Sequence, residues 1–170
     1  MSQPPEPARD QIQIRIARLG DLPSIVAIYN QAVPTHQSTA NTTPYTVEGR
    51  KAWFIEHNPE KRPIFVATLN NRVVGWCSLS WYRPGRAALR FTAEISYYVD
   101  TSHQGRGIGS SLIRHALGIN NVVAVVIDRN ESSRRLLEKM GFEQWGFLPQ
   151  VLDFDGQEVG EYYYGKRVSE

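Results

Sequence analysis

Residues Val122 to Ile127 read Val-Val-Ala-Val-Val-Ile, six apolar residues in a row, five of them β-branched. A strand with one wet face alternates apolar and polar residues. An unbroken run of this kind is the signature of a strand covered on both faces, as in a parallel pairing made across a helix. Both other parts of such a unit lie just upstream. Arg90 to Asp100 reads as extended, and Ser110 to Leu117 reads as helical, ended by Gly118. At 1.5 Å per residue even this short helix can cross back over a six-residue strand.

The rest of the chain fills in around that β-α-β unit. Ile12, Ile14 and Ile16 alternate with polar residues and predict a strand. Asp21 is placed to cap a helix with Leu22 and Pro23 in its first turn. Pro34 stops this helix, and Val33 to Tyr45 is a polar loop. Thr46 caps a second helix, Val47 to His57. Ile64 to Leu69 and Arg72 to Tyr82 form a hairpin about Asn70-Asn71. Asn130 can cap a helix over Glu131 to Met140, closed by Gly141. Phe142 to Phe154 and Gln157 to Val168 make a last hairpin about Asp155-Gly156. The expected fold class is α/β, a single domain over residues 12–168 with a mixed sheet flanked by helices. The polar, Pro-rich residues 1–11 are expected to form a disordered tail, with no hydrophobic centre of the kind a signal peptide has.

Composition narrows the function classes. The chain has 170 residues, 41% apolar and 21% charged, with a net charge of +2. That charge is too small to argue for nucleic acid or an anionic membrane surface. No apolar run approaches membrane-spanning length. Cys77 is the only cysteine, so an internal disulfide is impossible and a reducing, cytoplasmic setting is expected. It stands in an apolar run and reads as core filler. His36, His57, His103 and His115 show no metal-ligand spacing, so no metal is expected.

Chemistry enters with Gln104-Gly105-Arg106-Gly107-Ile108-Gly109. Three glycines at alternate positions leave backbone N–H groups unshielded, and the first turn of the following helix adds unpaired N–H groups and the positive end of its dipole. Arg106 brings a planar cationic fork. Together these suit a phosphate or pyrophosphate. A nucleoside-triphosphate loop would need Lys-Ser or Lys-Thr after the last glycine, which Ile108-Gly109-Ser110 lacks. A dinucleotide site would need Gly-x-Gly-x-x-Gly. Asp128 is placed for that site's acidic residue, but the glycines run Gly-x-Gly-x-Gly and follow three strands and two helices. A glycine-rich turn without a ligand is the structural alternative, and Gln104 and Arg106 weigh against it.

The segment Tyr98-Val99-Asp100-Thr101-Ser102-His103-Gln104-Gly105-Arg106-Gly107-Ile108-Gly109 closely resembles the coenzyme A motif of the GNAT superfamily of N-acetyltransferases. Thr92 to Val99, the Asn130 segment, Glu138 to Phe142, Trp145-Gly146-Phe147-Leu148-Pro149, Ile28-Tyr29-Asn30 and Ala52-Trp53-Phe54 look like its phosphinothricin and methionine sulfoximine/sulfone acetyltransferase branch. The resemblance spans nearly all of Ile12 to Val168. It implies the GNAT fold, with a mostly antiparallel sheet, and acetyl-CoA as co-substrate. The pyrophosphate would lie on Gly105, Arg106, Gly107, Ile108, Gly109 and Ser110, beside Gln104. The pantetheine arm would pair with Tyr97, Tyr98 and Val99 like an added strand, and a backbone N–H there would polarise the thioester carbonyl. Asn130 and Ser133 would contact the arm, although Asn130 reads equally as a plain helix cap.

The resemblance makes Glu94 the general base. An amine of pKa near ~10 is almost all ammonium at neutral pH, and a carboxylate raised by burial can take its proton. Arg83 and Arg86 either hold the acid group of an amino-acid-like acceptor or are solvated loop charges. Glu158 and Glu161 either line the acceptor pocket or are exposed strand charges. Relatives place an acidic tyrosine where Leu137 stands, and an aromatic residue in the loop matching Thr39 to Thr43; this chain has neither. The helix after the glycines is about two turns shorter than usual. The implied partners are a small-molecule amine, with a peptide amine or a non-catalytic acyl-CoA-binding role as alternatives. A homodimer is allowed, with the last hairpin offering an edge.

Overall fold

The computed structural model describes residues 11–118 and 121–168. The expected tail, save Gln11, lies outside the described residues, as does Ile119-Asn120. The chain runs β1 (Gln13–Ile16), α1 (Leu22–Ala32), α2 (Val47–Glu56), β2 (Ile64–Leu69), β3 (Arg72–Trp81), β4 (Thr92–Val99), α3 (Ile108–Ala116), β5 (Asn121–Ile127), α4 (Glu131–Lys139), β6 (Glu143–Phe154) and β7 (Gln157–Arg167). One seven-stranded sheet has the order β1-β2-β3-β4-β5-β7-β6. Every neighbouring pair is antiparallel except β4 and β5, which are parallel and joined through α3. The buried β-branched run therefore sits where its composition predicts.

Helices cover both faces. The sheet face carrying Ala93, Ile95, Val122, Ala124, Val126 and Tyr164 packs in one core with Ile108, Leu112 and Ile113 of α3 and Leu137 of α4. The opposite face carries Trp76, which packs with Ile25, Ile28 and Tyr29 of α1, with Trp53 and Phe54 of α2 against the same cluster. Burying aliphatic and aromatic side chains on both faces contributes roughly 1.5–3 kcal/mol for each large residue.

Local chemistry explains most element ends. Thr46 Oγ1 accepts the Gly49 N–H at 3.0 Å and caps α2 as expected. Asn70 and Asn71 both take positive φ, 49° and 61°, as a two-residue hairpin turn requires. Asp21 departs from expectation. It precedes α1 but makes no side-chain cap bond. Its carboxylate instead takes two bonds from the Arg15 guanidinium, at 2.7 and 2.9 Å, plus the Arg18 N–H at 2.7 Å. A bidentate charged pair outcompetes a single cap bond. Ile12 and Ile14 pack against the core, but Ile16, at the end of the alternation, is 45% exposed.

The last hairpin inserts in reverse order, so β7 lies against β5 and β6 forms the edge. On β6, Trp145 lies over Gly165 and Phe147 over Gly160: a Cβ on either glycine would come within 2.0 and 2.5 Å of those rings. The aromatic Trp145 to Pro149 run thus covers bare backbone on its neighbour.

Candidate active site

The parallel strands stay together for only three register pairs, Thr92 with Asn121, Ala93 with Val122 and Glu94 with Val123. Beyond Glu94 they diverge. β4 keeps its other edge paired to β3 as far as Val99 with Gly75, and β5 stays paired to β7 as far as Ile127 with Glu161. The Asp100 N–H donates to the Val74 carbonyl on the β3 side at 2.9 Å. Because backbone groups alternate sides along a strand, the N–H and C=O of Ile95, Tyr97 and Val99 face into the fork. The Val99 carbonyl receives a long bond from Gln104 Nε2, 3.4 Å.

A groove of about 620 Å³ occupies the fork. Its β4 wall runs from Ile95 to Val99 and its β5 wall from Ala124 to Ile127. Gln104, Gly105, Gly107, Ile108, Gly109 and Ser110 close one end. Gly105 and Gly107 hold φ of 74° and 77°. In that left-handed region an L side chain is strained, so the turn that presents these amides needs glycine. Gly107 also stands at the N-terminus of α3, where the Ser111 N–H bonds its carbonyl at 3.0 Å. The amides of residues 108–110 precede that first helical bond and point out of the helix end. α3 thus begins two residues earlier than the periodicity predicts, inside the glycine motif. Gly109 has a different reason: a Cβ there would stand 3.0 Å from Leu136 Cδ2 on α4. Arg106 is exposed and lies outside the groove lining.

Asn130, Ser133 and Leu136 line the groove from α4. Asn130 Oδ1 accepts the Ser133 N–H at 3.1 Å, so the residue is a helix cap, and its Nδ2 is directed at Ser38 Oγ, 3.2 Å away. Tyr97 Oη is hydrogen-bonded to Ser133 Oγ. Tyr98 Oη donates to the Ser38 carbonyl at 3.0 Å. Burial pushes the Tyr97 phenol up to about 12 and raises that of Tyr98 as well, so both stay protonated at neutral pH.

Glu94 lies on the opposite sheet face from Tyr97, one residue short of the groove's β4 wall. Its pKa is raised, first by burial and then by the charge of Glu161. The Glu161 carboxyl is raised by burial. Tyr163 is raised by burial and by Glu161, Tyr82 and Glu94, against Arg83. Glu161 is half-buried and shares this cluster, whereas Glu158 is exposed. The register explains it: Glu94 with Val123, Val125 with Tyr163 and Ile127 with Glu161 all project from one face.

Arg83 and Arg86 are both exposed and outside the groove lining. Arg83 adjoins the Tyr82 ring at 5.6 Å and acts on Tyr163, which places it on the Glu94 side. Leu137 is fully buried in the α3–α4 core and offers no proton to any ligand. Cys77 is buried, with its thiol pushed up to about 12, and is core. Among the described residues there is no cluster able to hold a metal ion, and no helix is long and apolar enough to cross a membrane.

Several site features have no local sequence signal. Gln31 on α1 donates to Asp100 and accepts the Thr101 N–H, both at 3.0 Å, tying α1 to the loop before the glycines. Asn30 holds both backbone groups of Tyr45, and Asn41 bonds the Tyr29 and Tyr45 hydroxyls, so the loop after α1 gets its aromatic content from its flanks. His57 Nε2 lies 3.2 Å from Ser80 Oγ.

Residues 25–142 match the acetyltransferase (GNAT) family. The protein YwnH of Bacillus subtilis (strain 168) is 37% identical over 163 residues, 92% of this chain and 99% of that protein. The L-methionine sulfoximine/L-methionine sulfone acetyltransferase of Pseudomonas aeruginosa is 36% identical over 156 residues, 88% of each chain. A crystal structure of a GNAT superfamily phosphinothricin acetyltransferase (Pat) from Sinorhizobium meliloti in complex with AcCoA superposes with a TM-score of 0.85 at 27% identity, covering 92% of this chain and 88% of that one.

Proposed function

The chain belongs to the acetyltransferase (GNAT) family, and from that premise we propose that it moves an acetyl group from acetyl-CoA to the primary amine of a small amino-acid-like acceptor, of the phosphinothricin or methionine sulfoximine type, with Glu94 as general base. Membership makes it an acetyl-CoA-dependent N-acetyltransferase; the acceptor and the base are the proposal. The observation that carries it is the fork, which opens at Glu94 and Val123 and continues as a groove to the glycine turn.

Acetyl-CoA supplies an activated thioester. The residues present fit it. Main-chain amides around Gly105 to Ser110 suit a diphosphate, and the fork-facing groups of Ile95, Tyr97 and Val99 suit the amides of an extended arm. In this reading Ile95 or Tyr97 N–H steadies the developing oxyanion. Glu94 removes a proton from the bound ammonium, and its raised pKa brings it nearer the range a general base needs. Two Ser-His contacts occur among the described residues, Ser80 with His57 and Ser102 with His103, but neither serine lines the groove, and in this reading attack is direct. With Leu137 buried, CoA leaves as thiolate, tolerable for a thiol of pKa near ~8.5. Arg83, on the Glu94 side, is the better placed of the two arginines for an acceptor carboxylate.

Thiol release with a panel of amines tests this. Steady release with phosphinothricin or methionine sulfoximine supports it. Release with peptides alone moves the acceptor class, and coenzyme binding without release to any amine overturns the catalytic assignment.

A further inference from the structure

His57, at the C-terminal end of α2, is half-buried with its ring 4.7 Å from that of Trp53 and has no part in the reaction described above. Its Nδ1 lies 2.7 Å from the Trp53 carbonyl. A carbonyl only accepts, so Nδ1 carries the proton. In the neutral ring Nε2 then presents a lone pair, and Ser80 Oγ, 3.2 Å away, donates to it. Ser80 is the register partner of Glu94 across β3 and β4. The Leu79 N–H turns to the β2 side, donating to the Pro63 carbonyl, so Ser80 faces β4 and forms a hydrogen-bonded pair with Glu94. Side chains of such a pair rise from the same face, with Cα atoms about 5.5 Å apart.

Resting on the proposed reaction, we infer that Ser80 and His57 form a relay that empties Glu94 of its proton during each turnover.

The stoichiometry calls for one. An ammonium carries three protons on nitrogen and the amide product one, so two must leave, and Glu94, with the carboxyl of Glu161 near it, holds only one at a time. Glu94 takes the first as the N–H bond breaks and the nitrogen lone pair becomes free to attack. The Glu94 O–H then passes its proton to Ser80 Oγ, whose own proton moves to His57 Nε2, leaving a carboxylate, a hydroxyl and an imidazolium. The imidazolium releases its proton to water. Glu94 is again a base when the attacking nitrogen sheds its second proton and CoA departs as thiolate. Burial, the Trp53 carbonyl, Arg50 and Glu56 act on His57, with burial dominant and lowering it; burial and Glu161 raise Glu94. The two groups are shifted toward each other, as transfer between them requires. Ser80 is the only described polar group bonded to Nε2.

Two measurements test the relay. Nitrogen-resolved NMR of labelled protein should show neutral His57 as the Nδ1–H tautomer, and Glu94→Gln and Ser80→Ala should each shift its titration by at least 0.3 pH units. The opposite tautomer, or shifts under 0.1 in both variants, overturns the relay whether or not an acceptor has been found. With an active acceptor, His57→Gln and Ser80→Ala should each lower kcat at least fivefold with KM changed less than twofold. The double variant should be no slower than the worse single one, and added imidazole should restore the His57→Gln rate. Additive losses, or kcat within twofold of the parent in both variants, overturn it. Failure of every amine in the parent instead removes the reaction and leaves the NMR result to judge the pair.

Discussion

The Asn130 side-chain amide donates to Ser38 Oγ at 3.2 Å, joining α4 to a loop 92 residues earlier in the chain. The same side chain caps α4 through Oδ1. One residue thus caps the start of a helix and straps the loop after α1 across the groove.

The two roles separate by substitution. Asn130→Asp keeps an oxygen for the Ser133 N–H and loses the donor to Ser38. Its stability should stay within about 0.5 kcal/mol of the parent while the KM for acetyl-CoA rises. Asn130→Ala loses both and should cost about 1 kcal/mol by denaturant unfolding. Equal destabilisation by both, with no change in KM, would reduce Asn130 to a cap.

Glu94→Gln should lower turnover by roughly 10²-fold. Its effect on stability has the opposite sign. A carboxyl whose pKa is raised by folding contributes stability that is complete below its unfolded value, near ~4.3, and lost as pH rises through the folded value. Glutamine never ionises, so the variant should melt above the parent at pH 7 to 8, by less than about 1 kcal/mol because solvent screens the half-buried group. The two should converge below about pH 4. Melting curves at both pH values check it; a less stable variant at pH 8 contradicts the electrostatics.

Glu161→Gln should move the acid limb of kcat/KM to lower pH. The Glu161 charge raises the Glu94 pKa, so removing it lets Glu94 ionise earlier. A limb that stays put within 0.1 pH units would mean that Glu94 does not set it.

The glycines of the coenzyme turn should not be equivalent. Gly107→Ala forces a Cβ into φ of 77° and should cost about 1–2 kcal/mol and weaken CoA binding. Gly109→Ala meets only a flexible Leu136 methyl, at 3.0 Å, and should be milder on both counts. Titration calorimetry with CoA and unfolding curves rank the pair.

The elements that were legible in the sequence are those whose cause is local. The buried strand β5, the glycine turn, the Thr46 and Asn130 caps and the Asn70-Asn71 turn each follow from a few adjacent residues. Asp21 misled because Arg15, six residues away, claims its carboxylate. Glu161 was ambiguous because its burial depends on β7, rather than β6, entering beside β5. No local pattern decides which arm of a hairpin goes inside. His57 carries no metal-ligand spacing and no other local signal in the sequence. Its partner Ser80 is 23 residues away, on β3. The bare backbone at Gly160 and Gly165 likewise explains the Trp145 and Phe147 run only once the register is known.

The three rungs ending at Glu94 and Val123 make the parted sheet a pair of leaves with a vertex. Changing the angle between the leaves displaces points in proportion to their distance from that vertex. The glycine turn lies at the wide end and the carboxylate at the apex. Any opening about that vertex would therefore widen the mouth at the glycine turn far more than it alters the spacing beside Glu94.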